Sequence, residues 1–268
     1  NFYRLNISPN FRISENEEIS ILKSKAMASL MDEFYNKNDD IFLKLVDTLS
    51  QEKSDSSLTD TIEDIYNFIR SFPFEEKWFR EKSNLYLYND KTDIVDTVFG
   101  KIIIQYTKEC LEFIISITKN SLKIISKDPN MLKAYSKNIK SNLSLFQSIY
   151  NNLDKSWDTV FENINFLKYD GTYDRKIKRI KDNPYKPLID ENKELINKTI
   201  KKIKSNFLYD SIQNKNTLEK MYSLVQKLFE LVTKFGQYLD NLKKEKNIAD
   251  FNDLEKWTLK LLTVQNSD

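Results

Sequence analysis

The stretch that decides the fold is DIVDTVFGKIIIQYTKECLEFIISITKNSLKIISK, Asp93 to Lys127. Its apolar residues Ile94, Val98, Ile102, Tyr106, Leu111, Ile114, Ile115 and Leu122 keep a helical period over a length far beyond a typical strand, and Asp128-Pro129 stops the run. On the C-terminal side, Met131 to Leu153, Lys155 to Phe166, about 188 to 209 and about 214 to 245 read as further helices. On the N-terminal side, Ile19, Leu22, Ala26, Leu30 and Phe34 form a helical stripe behind Ser14 and Glu17, which fit an S-x-x-E capping box. A second helix runs from about Asp39 to Leu49, and a third carries Leu58, Ile62, Ile65 and Ile69. Pro73 biases Phe72 away from helix and starts a short new one through Trp78. Residues 1 to 13, with Pro9, and 167 to 187, with Gly171, Pro184 and Pro187, lack the pattern; the second is read as an extended loop.

Composition agrees. In 268 residues there are three Gly and five Pro, whereas sheets and their tight turns consume glycine and long helices exclude both residues. An apolar content of 40% is ample for a packed core. The expected fold is all-α, a multi-helix domain of eight or nine helices with long antiparallel members, on which residues 1 to 82 form a cluster. No repeat at a fixed period is present.

Several chemistries are excluded by absence. With no histidine, the commonest general base and metal ligand is missing, and one cysteine builds neither a thiolate metal cluster nor an internal disulfide. Cys110, in the long helix, is expected to be a buried thiol. Pro187, Asp190, Glu191 and Lys193 have a nuclease-like spacing, but they begin a helix instead of lying on a sheet that could hold a metal, so a capping role is expected. Asp39-Asp40 and Glu75-Glu76 are first-turn acids, and Asp170 and Asp174 bracket the turn at Gly171. Trp78, Trp157 and Trp257 are expected in the core. No catalytic, cofactor-binding or metal-binding residue is assigned. No segment approaches the roughly 18 apolar residues of a membrane span and no signal peptide is evident, so a reducing, cytoplasmic setting is expected. A chain that begins at Asn1 without Met and stops just after an apolar helix reads as part of a longer protein.

The net charge of +2 conceals a division: residues 1 to 100 carry 12 basic and 19 acidic side chains, and residues 101 to 268 carry 30 and 21. The excess of cations is densest at Arg175, Lys176, Lys178, Arg179 and Lys181, interleaved with Tyr169, Tyr173 and Tyr185. Lys198, Lys201 and Lys202 follow on one helical face, and residues 168 to 204 together hold 12 basic and 6 acidic side chains. Cations neutralise phosphates and release counterions, while aromatics can stack on bases, so these eight residues are the candidate DNA-binding set. A solvated loop in a lysine-rich chain is the competing reading.

The stretch IADFNDLEKWTLKLL, Ile248 to Leu262, is the most signature-like. Asp250 can cap a helix whose first turn holds Asp253, and Phe251, Leu254, Trp257 and Leu261 recur as one apolar face. The phrase Asp-Phe-x-Asp-Leu before an apolar helix resembles UvrD-like superfamily 1 helicases. Phe11-Arg12-Ile13, Ser54-Asp55 and the helix after it, Phe72-Pro73-Phe74-Glu75-Glu76-Lys77-Trp78, Lys201-Lys202, Lys234-Phe235 and Lys244 narrow the likeness, and the chain resembles the AddA-type subunit of the bacterial ATP-dependent helicase-nuclease. It departs from that pattern at Lys53, Ser56-Ser57 and Asn197. The resemblance implies a helical 1B-type insertion domain over 1–247 and a helix leading back toward the motor domain over 248–268. It also implies, for the parent protein, helicase and exonuclease activity at double-strand breaks, ATP and Mg as cofactors, DNA as partner, and a heterodimer with a second helicase-nuclease subunit. The three glycines cannot spell G-x-x-x-x-G-K-[ST], so this part by itself is expected to be inactive, with no cofactor of its own. A free-standing helical interaction or scaffold protein is the alternative function.

Overall fold

The computed structural model describes residues 10–49, 55–72, 74–89 and 91–263, and only the backbone of 260, 261 and 263. Pro9, Lys53, Ser54, Pro73 and the Leu261 side chain lie outside the described residues. The helical periods become ten α-helices among the described residues: α1 (Asn16–Asn36), α2 (Asp40–Leu49), α3 (Ser56–Ile69), α4 (Glu75–Asn84), α5 (Val98–Ile125), α6 (Pro129–Tyr150), α7 (Trp157–Asn165), α8 (Lys186–Lys204), α9 (Ser211–Glu245) and α10 (Phe251–Thr263). The all-α expectation holds. Two short strands, β1 (Arg12–Ile13) and β2 (Ile248–Ala249), form a parallel pair that sequence reading did not anticipate. The chain forms two compact units, Asn1–Leu87 with Leu218–Asp268, and Tyr88–Thr217.

In the first unit, the expected α1 stripe of Ile19, Leu22, Ala26, Leu30 and Phe34 is buried. It joins Phe42 of α2, Leu58, Ile62 and Tyr66 of α3, and Leu231, Val232, Phe235 and Leu239 of α9. The N-terminal cluster thus takes its long partner helix from the later half of α9. Each such side chain contributes about 1.5 to 3 kcal/mol by leaving water. The expected capping box is displaced by one residue: the Ser14 hydroxyl donates to Glu18 (2.7 Å), not Glu17. The Ser14 amide is engaged elsewhere, donating to the Ala249 carbonyl at 2.9 Å in the β1–β2 pairing. The Ser14 hydroxyl, with Arg12, holds the Glu18 carboxyl down at about 2.

A buried ion cluster fixes the start of α10. Asp250 and Asp253 cap reciprocally, each carboxylate accepting the other's amide at 2.8 and 2.9 Å. Arg70, at the end of α3, donates both terminal nitrogens to Asp250 at 3.0 Å and one of them to Asp253. Lys243 of α9 reaches the same two carboxylates at 2.7 and 2.9 Å. The Arg70 and Lys243 side chains are only 3% and 4% exposed. Burial alone would raise the Asp250 carboxyl, but its bonds from Arg70 and Lys243 outweigh it and hold the group well below the carboxylate range. This clamp, not an apolar stripe, orients α10. Among its described side chains Asp253 is the buried one, whereas Phe251 is 68% exposed and Leu254 and Trp257 are half-buried, against the expected buried face. Trp257 meets Phe11 edge to face at 5.5 Å.

In the second unit, α5 packs against α6 and α8. The buried stripe of α5 is Thr107, Leu111, Ile114, Thr118, Ser121, Ile124 and Ile125, while Val98, Ile102 and Tyr106 are exposed, so the expected stripe is rotated. The buried hydroxyls return hydrogen bonds to the helix itself, Thr107 to Ile103, Thr118 to Ile114 and Ser121 to Ile117. A hydroxyl satisfied in this way costs little to bury, which a purely apolar pattern overlooks. Thr97 caps α5 through the Gly100 amide (3.0 Å). Gly100 is required there, because a Cβ would lie 1.8 Å from the Ile94 carbonyl oxygen. Asp93 accepts from the amides of Val95 and Trp157, and the buried Trp157 ring stacks on Phe207 at 4.9 Å and donates to the Tyr209 carbonyl.

Two stability outcomes follow from these contacts. Arg70→Met strips the buried Asp253 and the half-buried Asp250 of a shared partner and should cost about 3 to 5 kcal/mol in urea unfolding at neutral pH. Because Asp250 titrates far lower when folded, the cluster's contribution is complete above the ordinary Asp value of about 3.9 and is lost as pH falls below it, so the variant's deficit should shrink in acid. A neutral-pH loss under about 1 kcal/mol would contradict the clamp. Gly100→Ala, which in an open helix stabilises by up to about 1 kcal/mol, should here destabilise by about 1 to 3 kcal/mol and lower the melting temperature.

Candidate nucleic-acid interface

The segment between α7 and α8 runs back along α8. At one end the Lys204 ammonium donates to the Asn165 and Leu167 carbonyls at 3.0 and 2.9 Å. Further along, the methylenes of Lys193 cover Gly171, within 2.6 Å of where a Cβ would stand. At the other end Ile180 joins Ile189 in one buried cluster with Ile125, Met131 and Tyr135. The segment is also tied to α6: Asn142 exchanges hydrogen bonds with the Asp170 backbone at 2.7 and 3.2 Å, and the Asp174 amide donates to the Ala134 carbonyl at 3.0 Å.

Aspartates shape the turns. The Asp170 carboxylate accepts from the amide and hydroxyl of Thr172, and the Asp174 carboxylate from the Lys176 amide at 2.9 Å. The Thr172 bonds also hold Asp170 below its ordinary pKa. Between these turns and α8 the side chains sort by character. Ile180 is 2% exposed and Tyr173 and Ile177 pack beside it, while Arg175, Lys176, Lys178, Arg179 and Lys181 are all exposed. Arg179 adopts the left-handed backbone (φ 63°), uncommon outside Gly, Asn and Asp.

Lys198, Lys201 and Lys202 are also exposed, on the side of α8 opposite its buried Ile189, Ile196, Ile200 and Ile203. Lys201 lies about 18 Å along the helix from Ile189, so the eight candidates form two groups, one beside the first turns of α8 and one on its later turns. Among the described residues, none of the eight makes an ion pair. Some other basic residues are paired: Lys204 to carbonyls, Lys186 to Asp190, and in the other unit Lys227 to Asp39 and Glu230, Lys234 to Glu33, and Lys243 as above.

The tyrosines do not accompany the cations outward. Tyr169 stacks on Phe146 at 6.1 Å, and burial pushes its hydroxyl up to about 12. Tyr173 lies 5.1 Å from Tyr135, and Tyr185 packs beneath Lys127. Each ring thus has a neighbour within the unit and helps anchor the segment. Sequence reading missed Ile177 and Ile180 as anchors because their spacing has no helical period; the flanking Asx turns were the available signal.

The remaining expectations resolve simply. Pro187, Asp190, Glu191 and Lys193 lie in the opening turns of α8, and Asp39 caps α2 through the Ile41 and Phe42 amides. Trp157 is buried, Trp78 and Trp257 are half-buried, and Cys110 is half-buried on α5. The glycines do not fit a nucleotide phosphate cradle: Gly100 abuts Ile94, Gly171 lies under Lys193, and Gly236 lies under Tyr66. Among the described residues no group of three or more Asp, Glu, Cys or His could hold a metal, and no helix is long and apolar enough to cross a membrane.

No protein-family model matches the chain. Relatives match it nearly end to end. It is 26% identical over 269 residues to the AddA-type subunit of the ATP-dependent helicase/nuclease of Clostridium botulinum, covering 100% of the chain and 22% of the relative. The corresponding protein of Clostridioides difficile, which carries the same name, is 27% identical over 272 residues, 98% of the chain and 21% of the relative. That from Geobacillus thermodenitrificans is 27% identical over 276 residues, 97% and 21% respectively. The chain belongs with the AddA-type proteins. It spans about a fifth of the length of these AddA-type relatives.

Proposed function

We propose that this chain is the DNA-handling region of an AddA-type ATP-dependent helicase-nuclease that processes double-strand breaks for recombinational repair. In this reading 1–247 is the inserted 1B-type domain and 248–268 the helix returning toward the motor domain. The observation that carries it is a run of five exposed cations in seven residues on a pinned loop, with three more on one face of α8, none of which makes an ion pair among the described residues. Cations left unpaired on a pinned loop and one helix face suit a ligand that brings its own negative charges at regular intervals, as a phosphate backbone does. The inward tyrosines favour contact with phosphates over contact with bases, so binding is expected to ignore sequence. ATP and Mg belong, by this reading, to parts of the parent protein beyond these residues, as does pairing with a second helicase-nuclease protein. The setting is cytoplasmic.

The test is duplex binding across a salt series. The chain should bind with a dissociation constant of about 10⁻⁴ to 10⁻⁶ M at physiological salt. Changing Arg175, Lys176 and Lys178 to Ala and Arg179 to Gly, which suits the left-handed backbone, should weaken binding equally for all sequences. The slope of log affinity against log salt should fall by up to about 0.9 for each phosphate no longer neutralised. Unchanged affinity and slope would return the loop to a merely solvated one. The 268-residue chain alone should turn over no ATP and cut no DNA; a repurified ATPase abolished by mutating one of its residues would contradict this.

A further inference from the structure

We propose that the loop Tyr173–Asp182 is a preformed cup for a single phosphate group; the proposal rests on the nucleic-acid reading only for what carries that phosphate. The loop's own residues line a concavity of about 590 Å³ that is broadly open to solvent. Arg175, Lys178, Arg179 and Lys181 line its walls, with Ile177 and Ile180 beneath. Asp182 is the one carboxylate in the lining. Asp174, the nearest other acid in sequence, is turned to the Lys176 amide and does not line the cup.

Four cations held round one hollow repel one another, and an unanchored loop would let them disperse. Here the backbone that carries them is pinned, so the four side chains start from fixed positions round the hollow. Ile180 is buried, the Asp174 amide is bonded to α6, and the Ile177 and Asn183 amides close turns onto Asp174 and Ile180. Arg179 is moreover held in a backbone conformation that arginine seldom adopts. Two guanidiniums offer planar forks that match phosphate oxygens in pairs, and two ammonium groups add point charge. Lys198, Lys201 and Lys202, on a convex helix face, offer no such convergence and suit diffuse contact with a backbone.

The shared chemistry is a phosphate group, whether an internal phosphodiester, a terminal phosphomonoester or free phosphate. The full 268-residue chain is titrated with inorganic phosphate while backbone amide NMR shifts are followed, with chloride at equal ionic strength as control. The expected result is saturable shifts confined to Tyr173–Asp182, weakened at least tenfold in R175A/R179G and unchanged in K198A/K201A/K202A. Should R175A/R179G lower the melting temperature, K178Q/K181Q, exposed on the same wall, gives the same readout. Shifts that do not saturate, or that survive either cup variant, overturn the proposal. Blunt duplexes with and without a 5′ phosphate then separate the sources: tighter binding of the phosphorylated duplex assigns the cup to a DNA end, and equal binding that still falls in R175A/R179G assigns it to internal phosphates. If phosphate fills the cup but no duplex binds, the cup stands and the nucleic-acid reading falls. If duplex binds unchanged in R175A/R179G and phosphate does not bind, the cup falls and the reading survives on the α8 lysines.

Discussion

Arg70 and Lys243 are cations taken out of water, and such groups are tolerated only when opposite charge is buried with them. Asp250 and Asp253 meet that requirement for both at once, so the end of α3, the last turns of α9 and the first turn of α10 are held by one cluster. The same two carboxylates cap α10, which makes the helix start and the ion cluster a single event. Nearby, the Arg70 guanidinium lies 5.3 Å over the Tyr66 ring, which in turn meets Phe235 edge to face. Removing one member therefore disturbs the polar cluster and the apolar core together.

Pairing extends through this unit. Glu33 of α1 accepts from Lys37, Lys234 and Tyr238, and these bonds, led by Lys234, hold its carboxyl down at about 2. Lys227 bridges Asp39 and Glu230, and three lysines surround the Phe34 ring. Where the chain uses a cation to join helices, it supplies a partner. The eight candidate cations of the second unit make no ion pair among the described residues, and the pinned loop beneath five of them holds a dense local charge in place for a ligand.

Helix positions were legible because they depend on local period and on the near absence of glycine, and α1 shows this best: every residue of its expected stripe is buried. Where the reading slipped, the deciding fact was nonlocal or polar. Thr107, Thr118 and Ser121 are buried because each satisfies its own hydroxyl within α5, so the true stripe differs from the apolar one. Arg70 and Asp250 are 180 residues apart, and no local pattern couples them or shows that Phe251 will face out. The two-residue strands are too short to carry a period. The basic segment was legible because charge density is a local property. Its tyrosines were harder to read, because a tyrosine reads alike as surface ring or anchor until the neighbouring Phe146 and Tyr135 are in place.

The claim that free cations mark the working surface is tested most directly by lysine acetylation footprinting with and without duplex DNA, read by mass spectrometry. Lys176, Lys178, Lys181, Lys198, Lys201 and Lys202 should label rapidly in the free chain and be protected by DNA, while Lys227, Lys234 and Lys243 should label slowly and not respond. Protection falling on other lysines, or none at Lys176, Lys178 and Lys181, would contradict the account.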